Sequence, residues 1–192
     1  MKKQPEVTAR TRSLLLESFW NLYRDHPIEK IRIEAIAKGA GYNRSTFYEY
    51  FEDIYDILRQ AEEELISQFQ KYLKDVLPVV ETSPDRPDIV KALVKLFDTY
   101  GDRIMILVGD NGDSSFQNRL EEQAQPLIKM ILSADAGPYT KYLIAYAYGA
   151  IVGVLKQWCK SGRDVPEEDL ISAIYSMVSA GALPTARRLA GI

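Results

Sequence analysis

The chain has 192 residues, 46% of them hydrophobic and 27% charged, with a formal net charge of −3. That mix is globular and not disordered, and it suffices for one domain or for two small ones sharing a core. One cysteine and one histidine exclude an internal disulfide and a Cys/His metal cluster, and no run is apolar enough to span a bilayer; no cofactor, metal or membrane partner is expected.

The charge is unevenly spread. Residues 1–48 carry nine Lys or Arg against five Asp or Glu, whereas residues 49–192 carry fifteen against twenty-two. A basic head on an acidic body points to a polyanion-facing end. The lysines of MKKQPEVTARTR lead into no apolar stretch, because Leu14 to Leu16 runs straight into Glu17. A signal peptide is therefore not expected, and a cytoplasmic location is.

Strand signals are nearly absent and helical spacing runs almost throughout, so the expected class is all-α, with eight or nine helices. Residues 8–24 place Leu15, Leu16, Phe19, Trp20, Leu22 and Tyr23 on one stripe. Asp25-His26-Pro27 ends that helix, since proline restricts the residue before it. A second, short helix over about 33–40 turns Ile33, Ile36, Ala37 and Ala40 inward. Gly41 follows where a helix end favours a left-handed residue, and Asn43 can cap a third helix that runs to about Tyr50. A long helix covers about 54–77, with Pro78 closing it and a polar loop at 81–87. Further helices are expected over 88–100 (with an apolar extension, Ile104 to Val108), 116–132, 139–160 and 167–189. Turns at GDNGDSS, DAGP and SGRDVPEED separate them.

Three short helices with a tight turn between the second and third form a helix-turn-helix arrangement. Ala37, Gly41 and Phe47 let the two helices cross closely. Ile33, Ile36, Ala40, Tyr42 and Phe47 take the inner face. Asn43, Arg44, Ser45, Tyr48 and Glu49 are left outward, and donors of this kind suit a major groove and its flanking phosphates.

With the long helix that follows it, IRIEAIAKGAGYNRSTFYEYFEDIYDIL (residues 31–58) resembles the TetR family of transcriptional repressors. The aromatic set Phe47, Tyr48, Tyr50 and Phe51 matches the end of that family's recognition helix. The resemblance implies a DNA-binding head over residues 1–53 and a helical ligand-binding and dimerisation domain over 54–192. It implies a homodimer on double-stranded DNA, released by a small-molecule effector. Arg44, Ser45 and Thr46 would then read base edges, and Tyr48 and Tyr50 would bond phosphates. Arg32 stands where the family often has threonine and can still reach a phosphate. Ile54 stands where the family usually has lysine, with Asp53 and Asp56 beside it.

The resemblance also implies an enclosed pocket, for which Tyr100, Met105, Phe116, Tyr142, Tyr146 and Trp158 are the candidate lining residues. The last two main helices would pair as a four-helix bundle, with Gly149, Gly153, Ile171, Ile174 and Val178 on the dimer face. A TetR-like coactivator that binds protein partners with little DNA affinity is the alternative, favoured by Ile54 and the acidic EDIYD. No enzyme is expected: His26 reads as a helix-end residue, Cys159 as a buried thiol, and no catalytic constellation accompanies them.

Overall fold

Amphipathic spacing at threes and fours generates the whole architecture, with each helix burying one stripe on its neighbours. The computed structural model describes residues 5–82, 86–109, 112–132 and 137–181. Eight α-helices form: α1 (Pro5–Tyr23), α2 (Ile33–Gly39), α3 (Arg44–Tyr48), α4 (Ile54–Thr82), α5 (Arg86–Val108), α6 (Ser114–Leu132), α7 (Thr140–Lys160) and α8 (Glu167–Ala180). Single 3₁₀ turns precede α2 and α7, and no strand occurs among the described residues.

Two boundaries differ from the sequence expectation. Pro78 lies inside α4 instead of closing it. A proline removes one backbone donor, but Val76 and Leu77 rest on the core at this point, and the helix continues through the defect. The apolar extension Ile104 to Val108 continues the helix, so α5 is one uninterrupted element, and it begins at Arg86, two residues before the expected start. Pro126 is accommodated within α6. The expected end of the last helix near Leu189 lies outside the described residues.

The stripe on α1 becomes the centre of the N-terminal cluster, with Leu15 and Phe19 fully buried and Tyr23 at 1% exposure. Ile36 and Ala37 of α2 and Phe47 of α3 close over it. Glycine at 39 permits the approach of α1 to α2, because a Cβ there would stand 2.3 Å from Ser18 Oγ. That hydroxyl in turn donates to the Ile36 carbonyl at 2.9 Å, which ties the two helices together. α4 is shared: Ile57, Ala61, Leu65 and Phe69 extend the same core into the bundle of α4 to α8. α4 packs on α5 and α6, and α8 on α5. The buried cluster therefore runs without a gap from Leu15 to Ile131.

Candidate nucleic-acid interface and apolar cavity

The turn between α2 and α3 is built from two local devices. Gly41 takes φ +79°, a conformation that costs a residue with a Cβ about 1–2 kcal/mol. Asn43 caps α3: its Oδ1 accepts from the Thr46 amide at 3.1 Å, from Ser45 Oγ at 2.5 Å and from Thr46 Oγ1 at 3.2 Å. Phe47 is driven inward by its apolar character and lies 5.3 Å, centroid to centroid, from Phe51. With that anchor set, the helical period turns Arg44, Ser45 and Tyr48 to solvent.

Arg44 and Tyr48 act as a unit. The guanidinium Nη2 and Nε donate to the Tyr48 hydroxyl at 2.8 and 3.2 Å, and Nη1 donates to Glu34 Oε1 of α2 at 2.7 Å. Of the seven residues expected to face DNA, Arg32, Asn43, Arg44, Ser45 and Tyr48 are exposed. Thr46 and Tyr50 are half-buried, and Tyr50 packs against the core.

The acidic residues at the start of α4 serve the helix itself. Asp53 is its N-cap, with Oδ1 accepting from the Tyr55 and Asp56 amides at 2.8 Å each. Asp56 is nearly buried, accepts from the Glu52 amide at 3.0 Å and pairs with Arg59. Carboxylates in these positions satisfy amides that a first helical turn leaves unpaired. Ile54 is half-buried against the core.

An apolar cavity of about 140 Å³, partly open to solvent, lies among the helices of the bundle. Its walls come from five helices: Phe69 of α4, Leu93, Leu96, Phe97 and Ile104 of α5, Leu120, Ala124, Leu127, Ile128 and Ile131 of α6, Tyr148, Ile151, Val152 and Leu155 of α7, and Ile171, Ile174, Tyr175 and Val178 of α8. The Tyr148 hydroxyl donates to the Gln117 carbonyl at 3.2 Å, and burial pushes its pKa up to about 12.

None of the six residues expected at a pocket lines this cavity. Tyr142 and Tyr146 are 63% and 60% exposed, since their positions fall on the solvent side of α7. Phe116 is fully buried, as a core side chain outside the cavity wall. Tyr100 packs edge-on to Tyr72. Met105 lines a separate surface groove with Arg24, Asp102, Cys159 and Arg163. Trp158 is buried beside Phe97, donates to the Val165 carbonyl at 2.9 Å and carries the Arg163 guanidinium over its ring.

The helix-turn-helix geometry coincides with a family match. The model of bacterial regulatory proteins of the tetR family matches residues 15–61, and that of a transcriptional regulator C-terminal region of the same family matches residues 86–180. The chain belongs to the TetR family of transcriptional regulators. A search of curated proteins finds no match. Among solved structures, a TetR transcriptional regulator from Streptococcus agalactiae is 22% identical with a TM-score of 0.62, over 91% of this chain and 96% of that one. LfrR from Mycobacterium smegmatis, solved with proflavine, is 17% identical with a TM-score of 0.64, over 91% and 98%. FadR from Bacillus subtilis, solved with stearoyl-CoA, is 13% identical with a TM-score of 0.65, over 88% and 98%. At these identities the likeness is one of fold.

Within this TetR-family fold, the residues expected on a dimer face divide. Gly149 and Gly153 are exposed on α7, with open space around them. Ile171 and Ile174 are 5% and 7% exposed and line the chain's own cavity, as does Val178. Leu170 and Met177 of α8 are half-buried and lie outside that wall. The large exposed apolar side chains in this region are Tyr139, Tyr142, Leu143 and Tyr146, on α7 and the turn before it, and Val165 in the loop before α8.

One charged pair sits at the junction of the N-terminal cluster with the bundle. Glu62 of α4 is 3% exposed, and its Oε2 accepts from Arg119 Nη2 of α6 at 2.5 Å. Glu62 Oε1 and Arg119 Nε have no hydrogen-bond partner among the described residues. Burial pushes the Glu62 carboxyl up to about 7; Arg119 opposes the shift, and Asp113 adds to it. The pair escaped the sequence reading. The only trace was a carboxylate between Leu58, Ala61 and Leu65 on an otherwise apolar stripe.

Proposed function

We propose that this TetR-family chain is a homodimeric repressor that holds a pseudo-palindromic DNA site through α3 and leaves it when a small molecule occupies the cavity. The division falls between residues 53 and 54, with α4 common to both parts. The observation that carries the reading is the polar front of α3: Arg44, Ser45 and Tyr48 stand exposed on a helix whose other side is anchored by fully buried Phe47. Arg44 can offer two donors to a guanine edge, Asn43, Ser45 and Thr46 serve neighbouring edges, and Tyr48, Tyr50 and Arg32 serve phosphates. The Arg44–Glu34 pair is solvent-exposed on both sides, so exchanging it for a nucleic-acid acceptor costs little. A second protomer would cover Tyr142, Tyr146, Gly149 and Gly153 on α7, setting the spacing of two α3 helices. An effector that binds one dimer geometry better than the other shifts the population away from the DNA-competent one.

Asp53 and Asp56 are engaged in capping α4, and this local role supports the DNA-binding reading over that of a protein-binding coactivator. Fluorescence anisotropy with duplex DNA over a salt series tests the reading. Wild type should bind at low salt with affinity falling steeply as salt rises. Arg44→Ala should lose about 1–3 kcal/mol of discrimination between sequences, and Tyr48→Phe should weaken all duplexes alike. No binding at any salt would remove DNA from the proposal.

A further inference from the structure

We infer that the effector is a small, uncharged, apolar molecule of about the bulk of one substituted aromatic ring, held in the cavity between α4, α5, α6, α7 and α8. This rests on the ligand-responsive reading above and narrows it.

The first support is the wall. Among the described residues no Lys, Arg, Asp, Glu or His lines the cavity, and the lining side chains are aliphatic or aromatic. A charged ligand would give up its hydration there with no ion to replace it. The Tyr148 hydroxyl is already spent on the Gln117 carbonyl, and its proton is held firmly by burial. The second support is size. About 140 Å³ of apolar space among five packed helices exceeds what interior packing usually leaves, and it matches one ring in bulk. Water gains little in such a space because it finds no polar partners. An engineered cavity of about 150 Å³ with a comparable lining in another protein stays dry and takes up benzene. The third support is position. Phe69 brings α4 into the wall, and α4 is the helix on which the N-terminal cluster rests. A molecule in contact with Phe69 therefore bears directly on the element that carries α3.

The test is thermal unfolding of the full chain with toluene, cyclohexane, proflavine or stearoyl-CoA added. Toluene or cyclohexane in excess should raise the midpoint by about 2–4 °C or more. Ala124→Phe and Val152→Phe, which fill the space from two different helices, should each weaken that response by about tenfold or more. Should either variant fail to fold, the methyl resonances of Ile128, Ile151 and Ile171 in wild type locate the site independently; they should shift with toluene. No midpoint change with either hydrocarbon overturns the inference, as does tighter binding of proflavine or stearoyl-CoA at those same methyls. The two readings separate cleanly. A chain that binds toluene but keeps its grip on DNA upholds the ligand class and removes the release mechanism. A chain that ignores toluene but leaves DNA with a charged ligand does the reverse.

Discussion

The first three helices and the five that follow hold their candidate sites in opposite ways. On α3 the site is a surface: exposed polar side chains, bonded to one another within a few residues, over the buried rings of Phe47 and Phe51. In the bundle it is an interior, whose walls come from residues as far apart as Phe69 and Val178 and carry no charge. A surface of local hydrogen bonds can be edited without unfolding what lies beneath. An interior of apolar walls cannot, because each side chain that shapes the site also supplies packing. Between the two stands α4, where buried Glu62 meets Arg119.

Breaking the anchor should have the largest effect. Phe47→Ala should destabilise the chain by about 3–5 kcal/mol, read by denaturant unfolding, because Phe47 is fully buried where α3 meets the core. A loss below about 1 kcal/mol would mean that α3 is not held from below. Next comes the junction. Arg119→Ala leaves a buried carboxylate without its partner and should cost about 3 kcal/mol at pH 8, less at pH 5 where Glu62 is protonated.

The same residue gives a pH signature. Glu62 titrates near 7 in the folded chain against its ordinary 4.5, so the folded state holds a proton that the unfolded state has released. Its contribution is complete below about 4.5 and is lost as pH rises through about 7, at up to about 1.4 kcal/mol per pH unit. Unfolding free energies of wild type and Glu62→Gln, measured from pH 4 to 8, should differ by this slope; parallel curves would contradict it. Arg44→Ala should be the mildest for stability, within about 0.5 kcal/mol of wild type, because its partners are exposed. A larger loss would make the Arg44–Tyr48–Glu34 contact structural and erase the contrast between the two regions.

The same contrast decides what could be read from the residues alone. The helix-turn-helix is legible because its determinants are neighbours in sequence: Gly41 with its positive φ, Asn43 as cap, and Phe47 and Phe51 as anchors. The cavity is not, because Leu96, Ile128 and Val152 are of the same types as the residues that fill the core. Which of them border a gap depends on how five helices meet. Aromatic side chains were a poor guide to it: Tyr142 and Tyr146 face solvent, while Tyr148, two residues on from Tyr146, reaches the cavity. On α8 the apolar period satisfies an interior or a partner equally, and Ile171 and Ile174 proved to serve the interior. Pro78 misled because Val76 and Leu77, packed on the core just before it, offset the missing amide and the ring clash that a proline brings to a helix.

The most direct measurement is a selection from randomised duplex DNA at low salt, with wild type and Arg44→Ala run in parallel. The expected result is enrichment of a two-fold symmetric site by wild type, relaxed or lost with Arg44→Ala. Failure to enrich any sequence, or the same site enriched equally by both proteins, would contradict DNA reading by α3.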